Sequence, residues 1–131
     1  MTQHACPMWV PLVENGEHKG PGADYFIQQD IDALLSADPR IDTILLGCTH
    51  FPMLIDKIRA YVPDSIKIVS QDTIVAKSLK EYLERHPTLA DRCTQSGAHR
   101  FYTTESIENF ESHGCDFLGF PFKAEIIDLL S

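Results

Sequence analysis

The sequence has few cysteines, and no two of them are spaced as Cys-x-x-Cys. Its four cysteines are spread singly over 131 residues, at Cys6, Cys48, Cys93 and Cys115. A small secreted scaffold held by disulfides would need more cysteines at closer spacings. A structural zinc site would need clustered cysteine and histidine ligands. We therefore expect neither a disulfide framework nor a metal site.

Positive charge is scarce, and long hydrophobic runs are absent. Lysine and arginine number 11 against 19 acidic residues, which gives a formal net charge of −8 at pH 7. A nucleic-acid-binding protein would need a basic face, so we expect no such partner. No apolar run approaches the ~20 residues of a membrane span, and no charged-then-apolar leader marks export. The sequence therefore predicts a cytoplasmic protein with no membrane partner.

After Pro39, apolar residues alternate between strand-like and helical periodicity. The pattern predicts strands over residues 41–47, 66–70 and 100–103, and helices over residues 24–37, 52–62, 71–86, 104–111 and 123–130. Thr104 is the expected N-cap of its helix, and residues 87–98 read as a polar connection. Strands separated by helices pair in parallel through right-handed crossovers. The chain is therefore predicted to have an α/β fold.

The first strand of this alternation runs directly into Gly47-Cys48-Thr49-His50. Sites of α/β proteins lie at the carboxyl ends of parallel strands. Gly47 would let the backbone approach a ligand closely, and a helix starting near Pro52 would favour a reactive thiolate at Cys48. His50 could orient or protonate a group beside that thiol. The alternatives are a cysteine that only packs, a helix-capping Thr49 and a capping histidine.

Residues 1–13 are apolar almost from the start, without an earlier element to pack against. Pro7 and Pro11 would interrupt the hydrogen bonds of a central strand. We expect exposed apolar surface over residues 8–13, with self-association as a homo-oligomer or partial disorder. Such a segment indicates a partner surface encoded before residue 1. Glu14 follows this run and either points into a cleft or is simply solvated.

One hexapeptide and two flanking regions carry a family resemblance. The hexapeptide is Gly-Cys-Thr-His-Phe-Pro at residues 47–52, after an Ile-Leu-Leu strand. Residues 5–14 read Ala-Cys-Pro-Met-Trp-Val-Pro-Leu-Val-Glu, residues 101–104 read Phe-Tyr-Thr-Thr, and residues 117–119 read Phe-Leu-Gly. Together they resemble, in order, the upstream segment, the second cysteine motif and the C-terminal end of the glutamate racemases. These enzymes belong to the aspartate/glutamate racemase superfamily.

The resemblance implies a cofactor-independent racemase that interconverts L- and D-glutamate and supplies D-glutamate for bacterial peptidoglycan. In that family two cysteines face opposite sides of the α-carbon, one removing a proton and the other returning one. Cys48 matches the second of these cysteines, and Thr49 matches a residue that binds the substrate. His50 matches a residue that assists beside the cysteine and contacts substrate, and Glu14 matches a carboxylate of the proton-transfer network.

The resemblance also implies parallel-sheet three-layer domains, here the C-terminal portion of a two-domain pseudo-symmetric fold. Residues 1–70 would form the second part of the inserted domain with the Cys-Thr-His motif, and residues 71–131 would return to the first domain. The family's Asp-Ser-Gly opening and first cysteine motif do not occur in this sequence. We therefore expect the N-terminal half of the enzyme to be a missing partner and the isolated chain to be inactive.

Two other functions stay open at this point. The chain could be a non-catalytic α/β interaction domain in which Cys48 only packs, and slow alkylation of that thiol would indicate this. It could also be a related racemase acting on aspartate or on a hydantoin, because residue spacing does not reveal the pocket for the substrate side chain.

Overall fold

Short parallel strands and helices alternate along the chain in the computed structural model, which describes residues 1–94 and 96–129. They form two compact units, Met1–Glu81 and Tyr82–Ser131. The α/β class predicted from the sequence is confirmed. The division into residues 1–70 and 71–131 stays a prediction. Among the described residues, no helix combines the length and apolar character that a membrane span requires.

The first part of the chain contains a two-stranded parallel sheet, and helices precede, separate and follow its two strands along the sequence. The helices are α1 (Trp9–Glu14), α2 (Pro21–Ala37), α3 (Ile55–Tyr61) and α4 (Gln71–Arg85), and the strands are β1 (Thr43–Leu45) and β2 (Lys67–Val69). Ile44 of β1 is in register with Ile68 of β2. The strands and helices predicted in this region are therefore confirmed, although β1 and β2 are shorter than expected.

The core of the first unit combines residues from α1, α2, α3 and β1. Its least exposed large side chains are Trp9, Ile27, Ile31, Leu54 and Ile58. Ile27 and Ile31 are four residues apart and so lie on one face of α2. Burying an apolar side chain of this size contributes about 1.5–3 kcal/mol, so these few residues carry much of the stability of the unit.

The exposed apolar start predicted for residues 8–13 is wrong. Trp9, Leu12 and Val13 are buried on one side of α1, and of the large apolar side chains in this run only Met8 is exposed. Pro11 is compatible with this helix because it is the third residue of α1, and N–H groups of a first turn have no partner within the helix. The self-association expected from this segment therefore has no basis in α1.

The second unit contains another two-stranded parallel sheet. Its elements are α5 (Pro87–Ala90), β3 (Phe101–Thr103), α6 (Ile107–Leu118) and β4 (Ala124–Ile126). Phe101 of β3 is in register with Ala124 of β4. The strand predicted over residues 100–103 is confirmed, and the connection predicted over residues 87–98 contains one short helical turn at its start.

Two predictions in the second unit are wrong. The last helix, predicted over residues 123–130, is instead strand β4, because this segment pairs with β3 and the Ile127 N–H donates to the Thr103 carbonyl at 2.9 Å. Leu130 lies outside the described residues. The N-cap of α6 is Ser106 rather than Thr104, since the Ser106 side chain accepts from the Asn109 N–H at 3.4 Å.

Helix α6 also runs beyond its predicted end at residue 111. It continues to Leu118 and stops at Gly119, whose φ of 73° is a left-handed conformation that favours glycine. Gly114, inside the helix, leaves room for the ring of Phe122. That ring packs 4.3 Å from the Phe101 ring, centroid to centroid, and edge-on to Phe110 at 5.7 Å. These three aromatic rings therefore pack together in the second unit, although each is only partly buried.

Candidate functional site

Cys48 lies just beyond the carboxyl end of β1. The strand's pairing is extended by one residue, because the Leu46 N–H donates to the Val69 carbonyl at 2.9 Å. The chain then turns, and the Phe51 N–H donates to the Cys48 carbonyl at 3.2 Å. Cys48 is partly exposed on this turn. It therefore occupies the position in a parallel α/β fold where sites are expected.

His50 links Cys48 to Glu14. Its Nδ1 atom lies 3.8 Å from the Sγ atom of Cys48. Its other ring nitrogen, Nε2, makes a close hydrogen bond with Oε1 of Glu14, which is 36 residues away in the sequence. The His50 side chain is 24% exposed and the Glu14 side chain 46% exposed. The structure therefore brings three of the four predicted site residues into one line of contacts.

Aromatic packing brings Glu14 to His50. Trp9 begins α1 and Glu14 ends it. The Trp9 ring packs edge-on against Phe51, with centroids 4.8 Å apart, and Phe51 directly follows His50 in the chain. The two aromatic residues thus fix the helix that carries the carboxylate beside the turn that carries the imidazole. They are positioning residues that the sequence analysis did not single out, although one of them adjoins the motif.

A carboxylate, an imidazole and a thiol in this order can move a proton between Cys48 and His50. When Nε2–H of His50 donates to Glu14, Nδ1 carries the lone pair that accepts the thiol proton. The transfer leaves a thiolate beside an imidazolium, and the Glu14 carboxylate stabilises that cation. The arrangement follows the general logic of an activated group, its base and an orienting third residue. A thiolate formed in this way can act as a base or as a nucleophile.

The α-helix after Cys48 starts later than expected. The segment after His50 begins as a 3₁₀ turn over Phe51–Leu54, so the α-helix expected near Pro52 starts only at Ile55. A Cβ added at Gly47 would meet no atom within 4 Å among the described residues, and the role of this glycine in letting a ligand approach stays a prediction. Thr49 is exposed on the same turn. Its role in binding substrate stays a prediction.

A cavity of about 920 Å³ reaches Cys48. Its walls come from the residues before α1, from α2, and from β1 with the following turn, and they include Cys6, Asp30 and Leu46. Burial raises the pKa of the Cys6 thiol to about 12, and the charge of Asp30 adds to the shift. Cys6 is therefore a protonated thiol at neutral pH and does not supply a second thiolate to this cavity.

Proteins of known function are similar to this chain over most of its length. The glutamate racemase of Lysinibacillus sphaericus is 41% identical over 108 residues, which make up 82% of this chain and 40% of that protein. The glutamate racemase of Shouchella clausii (strain KSM-K16) is 35% identical over 114 residues, 87% of this chain and 40% of that protein. No family model matches the chain.

Solved structures are similar at the level of the fold. A glutamate racemase isoform from Bacillus anthracis matches with a TM-score of 0.82 and 32% identity, covering 96% of this chain and 46% of that one. The glutamate racemase of Francisella tularensis subsp. tularensis, solved in complex with D-glutamate, matches with a TM-score of 0.78 and 26% identity over the same shares, 96% and 46%.

A thiol, an imidazole and a carboxylate in contact beyond the carboxyl end of a parallel strand form an arrangement found in enzymes that work by acid–base or nucleophilic chemistry. The similar proteins are racemases, so the class of enzyme to which this chain is related is the isomerases. The chain is related to the C-terminal half of the glutamate racemases, as the sequence resemblance implied. It spans about 40% of the length of the curated relatives that it matches.

Proposed function

We propose that this chain supplies one of the two opposed proton-transfer sites of a glutamate racemase, with Cys48 as the acid–base thiol. The observation that carries the proposal is the line of contacts from Glu14 through His50 to Cys48, on a chain related to glutamate racemases. Thiols titrate within about two pH units of neutrality, so one thiol can both remove and return a proton.

In the proposed reaction, the Cys48 thiolate removes the α-proton of glutamate and becomes a thiol. The electron pair stays on the α-carbon as a carbanion, which hydrogen-bond donors at the substrate carboxylate stabilise. A second thiol on the opposite face then donates its proton to that carbon and becomes a thiolate, so the configuration inverts. Only a proton is moved between the substrate and the two thiols, so the scheme includes no cofactor.

His50 and Glu14 act on Cys48 in this scheme rather than on the α-carbon. His50 accepts the Cys48 proton through Nδ1 before the reaction, and Glu14 stabilises the resulting imidazolium through Nε2. His50 also lines the approach to the thiol, where it makes a second contact with substrate. Thr49, exposed on the same turn, offers a hydroxyl and a backbone N–H to a substrate carboxylate.

The substrate of this site is glutamate. The relative from Francisella tularensis was solved with D-glutamate bound, which supports a substrate of the same kind here. Its product would feed peptidoglycan synthesis, a cytoplasmic role in cell-wall biogenesis and cell shape. The net charge of −8 means that the anionic substrate must be attracted locally, and the backbone N–H groups of the turn are suited to that.

The opposing thiol would come from the N-terminal half that the relatives have in addition. Helix α4 presents apolar side chains that such a partner would bury, since Ile74, Val75 and Leu79 are 54%, 59% and 56% exposed. Exposed apolar side chains grouped at helical spacing mark an interaction surface. The isolated chain is therefore expected to be inactive. The alternative is that a second copy of the chain covers the apolar face of α4, which would form a homo-oligomer.

The test is a chimaera in which this chain follows the N-terminal half of the Lysinibacillus sphaericus racemase. The chain alone should leave the circular dichroism of a D-glutamate solution unchanged, and the chimaera should abolish it over time. Cys48→Ser should lower kcat by about 10²–10⁴-fold. Cys93→Ser, which changes an exposed cysteine of the second unit, should not. Racemisation by the chain alone, or full activity in Cys48→Ser, would contradict the proposal.

Two further measurements separate the alternatives. In a non-catalytic domain, Cys48 would be alkylated slowly and His50→Ala would not change the rate. If Glu14, His50 and Cys48 instead act as a proton relay, the Glu14–His50–Cys48 relay, Cys48 should be alkylated rapidly, and the alkylation should slow in His50→Ala and in Glu14→Gln. If aspartate or a hydantoin perturbed the NMR signals of Thr49 and His50 at lower concentration than glutamate does, a related racemase would be the better assignment.

A further inference from the structure

Three potential metal ligands converge where the segment before α1 meets α2. His4, Cys6 and Asp30 each offer one ligand atom, and these atoms all lie within 4.8 Å of one another. His4 Nε2 and Asp30 Oδ1 are already in hydrogen-bond contact at 2.9 Å. Among residues 1–94 and 96–129, no other group of three histidine, cysteine or acidic side chains meets so closely. None of the three belongs to the Glu14–His50–Cys48 relay.

The local structure explains why the three side chains meet. His4 and Cys6 are two residues apart in a segment without helix, a spacing that puts both side chains on one face of an extended chain. Asp30 adjoins Ile31, which is buried on the core face of α2, and only 15% of the Asp30 side chain is exposed. The carboxylate therefore sits at the border of the core, where it needs a compensating charge or donor.

We propose that His4, Cys6 and Asp30 bind a zinc ion. Imidazole nitrogen, thiolate sulfur and carboxylate oxygen are the donors that Zn²⁺ takes in tetrahedral sites, and three protein ligands leave a fourth position for water. Mg²⁺ and Ca²⁺ prefer oxygen ligands throughout, so the sulfur and nitrogen donors argue against them. On binding, the Cys6 thiol proton leaves to solvent, and the thiolate and carboxylate together balance the charge of the ion.

The geometry needs only a small adjustment to hold the ion. Zinc bonds of about 2.0–2.3 Å place tetrahedral ligands roughly 3.3–3.7 Å apart. At 2.9 Å the His4–Asp30 pair is slightly closer than this, whereas a pair at the 4.8 Å limit requires a contraction of about an ångström. His4, an exposed residue on an irregular segment, can rotate to supply this contraction. Cys6 and Asp30 are partly buried and provide the fixed side of the site.

A bound ion would tie the start of the chain to α2. His4 and Asp30 are 26 residues apart, and the loop between them contains α1 with Trp9 and Glu14. Cross-linking such a loop restricts the unfolded chain, and ligand binding to the folded state raises its stability by mass action. The ion would thus stabilise the segment from which α1 starts, with its fourth coordination position left to water. This inference does not rest on the racemase proposal.

The test titrates Co²⁺, as a spectroscopic substitute for Zn²⁺, into the full chain under reducing conditions. We expect one equivalent to bind, with a sulfur-to-cobalt charge-transfer absorption and the visible bands of tetrahedral cobalt. Zn²⁺ should displace the cobalt and raise the Tm. Cys6→Ser should abolish the charge-transfer band, and Asp30→Asn should weaken binding by at least the roughly 10–100-fold that loss of a supporting residue costs.

Matched controls keep the result specific. Asp32→Asn changes a carboxylate on the same helix, and Cys48→Ser removes the thiol of the Glu14–His50–Cys48 relay. Both variants should keep the charge-transfer band and the affinity for Co²⁺. Circular dichroism of each variant without metal checks that it is folded. If the band disappears in Cys48→Ser and persists in Cys6→Ser, the metal is elsewhere and the proposal is wrong. It is equally wrong if the folded chain shows no saturable binding up to millimolar Co²⁺ or Zn²⁺.

Discussion

Replacing Trp9 tests how the first unit is held together. Trp9 is the single tryptophan of the chain, only 2% exposed, and it packs edge-on against Phe51. Its indole Nε1 is buried with no hydrogen-bond acceptor among the described residues. The side chain therefore combines a large favourable burial with one unfavourable polar group. Trp9→Ala and Trp9→Phe separate the two effects.

The expected magnitudes differ strongly between the two variants. Trp9→Ala removes the packing and leaves a cavity, which lowers the free energy of unfolding by about 3–5 kcal/mol. A unit the size of Met1–Glu81 is stable by roughly 4–12 kcal/mol, so this loss threatens its folding. Trp9→Phe keeps the aromatic contact and removes a buried, unpaired N–H that costs about 1–3 kcal/mol. That gain offsets the lost volume, and the net change should stay within about 1 kcal/mol of zero.

The assay is urea unfolding followed by far-ultraviolet circular dichroism, because tryptophan fluorescence is lost in both variants. Phe51→Leu, which removes the other ring of the pair, is the matched control and should lose about 0.5–1.5 kcal/mol from the aromatic contact in addition to its lost burial. If Trp9→Phe were as destabilising as Trp9→Ala, the indole N–H would have a partner in solution, and the argument from an unpaired group would be refuted.

Three further predictions concern other parts of the chain. Gly114→Ala should destabilise the second unit by about 1–3 kcal/mol in thermal unfolding, because the new Cβ would lie 2.5 Å from Cε1 of Phe122. A hydrogen bond from Lys123 holds the pKa of Glu111 below its ordinary 4.5, so the stabilisation is present above pH 4.5 and is lost as the pH falls through the lowered value. Glu111→Gln should flatten that dependence in urea unfolding. Because the pKa of Cys6 is about 12, its alkylation, followed by mass spectrometry, should be far slower in the folded than in the urea-unfolded chain.

The first two of these predictions have control variants, and the third compares the folded chain with the unfolded chain. Gly22→Ala places a Cβ in open space on α2 and should be neutral or slightly stabilising, unlike Gly114→Ala. Glu108→Gln removes a carboxylate from the same helix α6 but keeps the Lys123–Glu111 hydrogen bond, so the acid dependence that this bond causes should remain. Equal losses from the two glycine variants, an unchanged pH profile in Glu111→Gln, or equal alkylation of folded and unfolded Cys6 would contradict the respective arguments.

Much of the fold follows from local patterns in the sequence. The strand that becomes β1 contains the apolar run Ile44-Leu45-Leu46 without an internal breaker, and α4 has an unbroken helical periodicity between Ser70 and Pro87. The last strand, β4, could not be predicted in this way. Its residues Ala124–Ile126 lie in a stretch with helical spacing, and only pairing with β3, more than twenty residues earlier, makes them a strand. Such pairing depends on contacts that a local pattern does not contain.

Some residues of the candidate site were likewise predictable from local sequence, and others depend on contacts between distant segments. Cys48, Thr49 and His50 are contiguous and follow a strand, so their position was predictable. Residue pattern alone left Glu14 either in a cleft or solvated, and only the family resemblance gave it a role. Its contact with His50, 36 residues later in the sequence, depends on the packing of Trp9 against Phe51, which a local pattern does not contain. His4, Cys6 and Asp30 were missed altogether, since a site assembled from two segments shows no paired spacing in the sequence.

Isotope labelling in D₂O tests most directly whether Cys48 is one of two opposed proton-transferring thiols. The chimaera, given one enantiomer of glutamate, should form product with deuterium at the α-carbon while the remaining substrate stays protonated early in the reaction. Cys48→Ser should abolish this labelled product. Equal deuteration of substrate and product would indicate a single base serving both faces, and undiminished labelling in Cys48→Ser would show that Cys48 does not transfer the proton.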